Sequence, residues 1–408
     1  MLITNIGRLV TMLSGPGREG PIGVILRAAV VLRGDRIEWV GPEAELPRDA
    51  EHLRSTAIDA GGRAVLPGLV DSHTHLIFAG SRATEFVQRA RGVSYQAIAE
   101  AGGGILSTVA ATRAATEEQL FELGRARVAE AMRHGTTTLE IKSGYGLDLA
   151  TELKILRVVR QLQVDTPIQL VPTFMGAHTV PAEWRTDRAR YLALLCEEML
   201  PAVAEAKLAV FCDIFVEAGA FTPAEARTIA AAAARAGLGL KLHVDQFHDG
   251  HGGALAAELG AVSADHLEYV NAEGMAAMAQ AGVVAGILPG ATIIANPHQH
   301  PPVAALREAG VPMAIATDFN PGTSPTLDLP LCGTIAVTLL GLDPDLVLLG
   351  MTRVGAQALK LAEHVGTIEP GRRADLLILR GESEYDPLYR FGADPVRTMI
   401  CGGDVVGE

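Results

Sequence analysis

The chain has 408 residues, 49% hydrophobic and 20% charged, with a formal net charge of −13 at pH 7. That is enough apolar matter for one large domain with something smaller beside it, and a surface that disfavours nucleic acid and anionic membranes as partners. No apolar run is long enough to cross a bilayer, residues 1–5 lack the pattern of a secretory signal, and the scattered Cys196, Cys212, Cys332 and Cys401 have no C-x-x-C spacing, so a cytoplasmic protein with free thiols is expected.

In chain order, residues 2–5, 23–26, 29–32 and 36–41 read as short strands between turns. The C-terminal end reads alike, with strands at 366–368, 374–379 and 397–400 separated by Glu369-Pro370-Gly371 and Gly402-Gly403-Asp404. Two β-rich ends around a different middle predict one composite β-sandwich domain, residues 1–65 with 363–408. The middle, 66–362, alternates strands (66–70, 136–141, 168–174, 211–216, 240–244, 261–264, 283–287, 313–316) with helices (118–133, 151–162, 187–205, 223–236). A further helical stretch, 327–361, follows. Strict rotation of strand and helix implies parallel units with right-handed crossovers, and eight of them fit a (β/α)8 barrel. The rival, an open doubly wound sheet, predicts a glycine-rich phosphate turn after the first strand. His73-Thr74-His75 stands there instead.

In barrels, function collects at the C-terminal ends of strands. There lie His73 and His75 after the first, Glu140, Lys142 and Tyr145 at the second, and His178 after the third. Glu217 follows the fourth, His243, Asp245 and Gln246 the fifth, Asp265 and His266 the sixth, and Asp318 and Asn320 the eighth. Five of the twelve histidines fall at such ends. Residues i and i+2 of a strand point the same way, so His73 and His75 form half of a metal site. With His243 and Asp318 they make three imidazoles and a carboxylate, a set that suits one divalent ion, Zn(II) or Fe(II), with room for water. Such an ion acidifies water and polarises a carbonyl. Asp318 is then placed to take a proton, and His266 to orient water or an oxyanion.

Lys142 follows strand two, so a carbamylated lysine bridging two metals is the lesser reading. His248 and His251 read as solvated loop residues. The second His-x-His, His298 and His300, is flanked by Pro297, Pro301 and Pro302 and reads as structural or solvent-facing. The glycine loop 101–105 reads equally as connector or lid. For binding, the Arg82 guanidinium suits a carboxylate. Asn320 to Ser324 offers an amide, hydroxyls and open N–H groups around Gly322, and Tyr145 between two glycines can cover a small ring.

The strings that carry most are Glu140-Ile141-Lys142-Ser143-Gly144-Tyr145-Gly146-Leu147, Ser263-Ala264-Asp265-His266-Leu267-Glu268 and Asp318-Phe319-Asn320-Pro321-Gly322-Thr323-Ser324-Pro325. With them, nearly the whole chain resembles the imidazolonepropionases of the amidohydrolase superfamily. The resemblance implies one Zn or Fe on His73, His75, His243 and Asp318. It implies substrate contacts from Arg82, Tyr145, His178, Gln246, Asn320, Gly322 and Thr323, and a homodimer. It implies opening of the 4-imidazolone-5-propanoate ring by water, giving N-formimidoyl-L-glutamate. Gln246 can hydrogen-bond the ring but cannot act as a base, which leaves the proton work to Asp318 and His266. The alternatives are another cyclic amidohydrolase or a nucleobase deaminase on the same scaffold, and a metal-free assembly protein. Arg82 with the 320–323 loop favours an acid over a neutral purine, and the intact ligand set argues against the assembly protein.

Overall fold

The computed structural model describes residues 1–93, 103–295 and 297–407. Strands β1 (Leu2–Val10), β2 (Val24–Arg33) and β3 (Arg36–Pro42) form an antiparallel meander, with β4 (Ile58–Asp59) and β5 (Ala64–Pro67) parallel to β1. The segments 23–26 and 29–32 are thus one strand. The run expected as a single strand at 66–70 is divided. Ala64–Pro67 stays in this first sheet, and β6 (Leu69–Asp71) opens a second. Gly68 sits between them, where a Cβ would fall 2.1 Å from Thr137 Oγ1, so only glycine lets the chain pass from sheet to sheet here.

The second sheet is the barrel. It runs β6, β7 (Thr136–Lys142), β8 (Gln169–Ala177), β9 (Phe211–Val216), β10 (Gly239–Val244), β11 (Ser263–His266), β12 (Val284–Ile287) and β13 (Met313–Ile315) in sequence order, every pair parallel. It closes through a bridge between Thr74 and Phe319, with the His75 N–H donating to the Phe319 carbonyl at 2.8 Å and the Asp318 N–H to the His73 carbonyl at 3.0 Å. Closure therefore brings the His-x-His segment directly against the segment that carries Asp318.

The connecting helices start where their caps direct. Thr116 with Gln119 and Thr222 with Glu225 form capping boxes for the helices Glu117–Arg133 and Pro223–Arg235, and Asp148 caps Leu149–Asp165. The expected helix 187–205 is broken by a wider π turn at Leu194–Met199. The stretch 327–361 is three helices, Leu329–Thr338, Pro344–Gly350 and Arg353–Ala358, because Asp343-Pro344 starts a new helix where the alternating pattern alone runs on.

The C-terminal strands β14 (Leu376–Leu379), β15 (Val396–Cys401) and β16 (Asp404–Gly407) return to the first sheet, with β14 antiparallel to β5. The first sheet is therefore built from both chain ends, as expected, whereas 366–368 is no strand. Its apolar core includes Ile3, Ile6, Leu9, Val30, Val65, Leu376, Ile378 and Ile400.

Candidate metal centre and active site

Side chains alternate along a strand, so Thr136, Thr138, Glu140 and Lys142 of β7 share one face, as do Lys241 and His243 of β10. All six are buried, and the contacts between strands put them inside the barrel. At its C-terminal end His73, His75, His243, His266 and Asp318 come together. His73 Nε2 lies 3.4 Å and His75 Nε2 3.5 Å from Asp318 Oδ1, and His243 Nε2 lies 3.3 Å from His75 Nε2.

Two carboxylates orient the imidazoles: Asp265, noted at its strand end but given no role, and Asp213, which was not singled out from sequence. His73 Nδ1 donates to Asp265 Oδ2 at 2.7 Å and His243 Nδ1 to Asp213 Oδ1 at 2.9 Å. Each bond fixes the tautomer, leaving an Nε2 lone pair aimed at the shared point. His73 Nε2 is buried with no hydrogen-bond partner. A buried acceptor without a partner is costly, and several aimed at one point fit a divalent ion. Burial, with Lys142 and neighbouring imidazoles adding to it, pushes His73 and His75 well below the ordinary histidine range. His266 moves the same way for the same first reason. All three are thus neutral, the form that ligates. Burial likewise drives the Asp318 carboxyl well above the usual carboxylate range.

His266 sits closer to the donors than expected, within ligating reach of His73 and His243. Asp245, His266, Leu267 and Asp318 all carry positive φ, a concentration of uncommon backbone at the strand ends that carry the site. Lys142 is no free amine. Its Nζ lies 2.6 Å from Asp213 Oδ2 and 2.7 Å from Glu140 Oε2, with no exposed side-chain surface.

Above the centre opens a cavity of about 720 Å³, lined among others by His75, His243, Asp318, Arg82, Tyr145 and His178. Gln246, Asn320 and Thr323 also reach it. His178 donates Nδ1–H to the Gly144 carbonyl at 3.0 Å and stacks on His75, ring centroids 5.0 Å apart. Burial pushes His178 down to about 4. It is therefore neutral, and with Nδ1–H donating its Nε2 is left as an acceptor. The loop bearing Tyr145 is pinned by Glu152, which accepts the N–H groups of Gly144, Gly146 and Leu147.

Arg82 Nε donates to Glu85 Oε2 at 2.8 Å. A Cβ on Gly322 would fall 2.3 Å from its Nη1, so this glycine makes room for the guanidinium. Gly322 offers no open N–H, since that group donates to Asn320 Oδ1, and the Asn320 amide is spent on holding its own loop. Arg89 also lines the cavity, and its Nη2 donates to the Gly322 carbonyl at 2.7 Å. Its spacing of seven from Arg82, two helical turns, is the signal that could have found it. Glu217 lies at the rim, where it accepts the Phe247 N–H and meets His248 Nδ1, so His248 contacts a carboxylate rather than being merely solvated. His298 is exposed. Ala101 and Gly102 of the glycine loop fall outside the described residues, and the Gly104 N–H donates to Glu85 at 2.9 Å. Among the described residues no helix is long and apolar enough to cross a membrane.

Residues 64–406 match the amidohydrolase family. The chain is 46% identical to an imidazolonepropionase of Symbiobacterium thermophilum, covering 100% of this chain and 97% of that protein. It is 47% identical to one from Rhizorhabdus wittichii, covering 97% of each. Among solved structures, 5-methylcytosine deaminase from Klebsiella pneumoniae superposes with a TM-score of 0.75 at 19% identity, over 100% of this chain and 98% of that one. Atrazine chlorohydrolase from Arthrobacter aurescens TC1, complexed with zinc, superposes at 0.69 and 17%, over 100% and 95%. At such identity these two speak for the fold alone.

Proposed function

We propose a function from one premise: the chain belongs to the amidohydrolase family and, within it, groups with the imidazolonepropionases. It is a hydrolase of histidine degradation that opens the ring C–N bond of 4-imidazolone-5-propanoate to give N-formimidoyl-L-glutamate.

In our reading His73, His75, His243 and Asp318 hold one Zn(II) or Fe(II), which when bound acidifies water and polarises the ring carbonyl. The supporting observation is the convergence of neutral, carboxylate-oriented imidazoles with Asp318 on one point. Asp318 takes a proton at its carboxylate as water adds to the ring carbonyl carbon, and returns it to the ring nitrogen as the C–N bond breaks. His266 orients the water or the developing oxyanion. His178 accepts a ring N–H at Nε2, and Tyr145 and Gln246 border the ring. Arg82 takes the propionate, with Gly322 giving it space and Asn320 and Thr323 shaping the wall beside it. We place the enzyme in the cytoplasm as a homodimer. The free state of all four cysteines is in keeping with a reducing compartment, and sedimentation tests the dimer.

One observation carries this reading: the cavity that exposes His75, His243, His266 and Asp318 also exposes Arg82, so an acidic ring substrate can meet both at once. The test supplies freshly made imidazolone propionate to metal-loaded protein and follows both compounds. Stoichiometric formimidoylglutamate is expected. Fully loaded protein that consumes no substrate refutes the reading.

A further inference from the structure

The helix Ala83–Ala90 inverts the usual rule of burial. Its one buried residue is an acid, Glu85, whereas Phe86 and Val87 face outward, 55% and 42% exposed. A carboxylate is almost never buried without partners to satisfy it.

The partners of Glu85 lie on two segments. Its Oε2 accepts the Arg82 Nε–H at 2.8 Å, and its Oε1 accepts the Gly104 N–H at 2.9 Å and the Ser107 hydroxyl at 3.4 Å. One carboxylate thus ties Arg82 to the start of the helix Ile105–Ala114. Among the described residues, Arg82 and Ile105 line the cavity and Glu85 does not. A guanidinium donates from Nε and from both Nη atoms. Glu85 engages the Nε. The Nη atoms are turned to the Gly322 side, where a Cβ would fall 2.3 Å from Nη1 and 3.4 Å from Nη2. That end of the fork is the one left to grip a second carboxylate.

We propose that Glu85 is a positioning residue for the acidic end of the substrate, aiming the Arg82 fork and fixing it against the 104–107 wall. This rests on the reading above that Arg82 takes the propionate. Two effects oppose each other here. Negative charge behind Arg82 weakens its pull on an anion, while a fork held in place before binding loses less freedom when the anion arrives. The pair is largely out of water, with side chains 10% and 11% exposed. The Gly104 and Ser107 donors on Oε1 offset part of the carboxylate's charge, so orientation outweighs repulsion.

The test measures kcat and KM for imidazolone propionate at equal metal content. Glu85→Ala should raise KM about tenfold and leave kcat within about twofold, the pattern of binding lost equally from ground and transition states. Glu85→Asp keeps the charge but shortens the reach by one methylene. It should raise KM in the same direction, and it decides if Glu85→Ala does not fold. An unchanged KM, a KM lowered because a repelling charge has gone, or a fall in kcat alone overturns the proposal. In Arg82→Ala protein the same substitutions should add nothing to KM; a further rise of the same size there shows that Glu85 does not act through Arg82 and likewise overturns it. Should Arg82→Ala by itself leave KM for the acid unchanged, the propionate reading beneath the proposal is what fails.

Discussion

The molecule has two buried interiors of opposite character. Between the strands from the two chain ends, Ile3, Ile6, Val30, Leu376 and Ile378 pack as one apolar cluster. Inside the upper barrel, Glu140, Lys142, Asp213, Lys241 and Asp265 are just as buried. The first interior stabilises by removing apolar surface from water. The second gains little, because desolvation of its ions offsets their attraction. Its positions are instead those from which His73 and His243 are oriented. The chemistry thus sits in the polar interior, and substitutions in the apolar terminal sheet should spare it.

Asp318→Asn should be the most severe change. Losing the proton acceptor is expected to lower turnover by roughly 10²–10⁴-fold even in molecules that retain metal, read as kcat per bound ion. Near-normal turnover at full metal content would remove Asp318 from the proton work. Ile378→Ala is the counterpart in the apolar interior. It should cost about 2–5 kcal/mol of stability in denaturant melts, yet leave kcat and metal content as they were; a matching loss of metal would show that the two interiors are coupled.

Asp265→Asn tests the orienting bond to His73. Metal affinity should fall by about 10–100-fold in chelator competition, with the melting transition little changed. Arg82→Ala should raise KM by roughly tenfold or more for the acid, as loss of a charge-assisted contact predicts, but not for an uncharged analogue. Equal effects on both would free Arg82 of the propionate. The smallest effect concerns pH. Folding lowers His178 from 6.5 to about 4, so between those values the unfolded chain binds a proton that the folded chain refuses. Stability should therefore fall as pH drops through that window and level off on either side. Urea midpoints of His178→Gln should show a shallower fall; an identical slope would mean that this imidazole is not held neutral.

Much of this was legible in the linear chain, and the reasons are local. Strict alternation of strand and helix named the barrel, and the β-rich ends named the composite sheet. His73 and His75 declared themselves because period-two alternation places i and i+2 on one side. Where an element depended on its neighbours, local pattern failed. The 66–70 run divides between two sheets because β5 finds partners in β1 and β14, and nothing in an apolar stretch announces that. Asp213 stayed hidden within Phe211–Val216 because one acid in a strand has no signature of its own until β10 brings His243 to its Oδ1.

The amino-acid order by itself determined which residue types stand at the strand ends, since alternation and capping are short-range effects. Which nitrogen of each imidazole carries a proton, which arginines share a cavity, and how Lys142 finds both Asp213 and Glu140 were decided only by closure of the barrel. Those are contacts between residues that lie far apart in the chain, and hydrogen bonds and ion pairs are set by distances of a few ångströms in space.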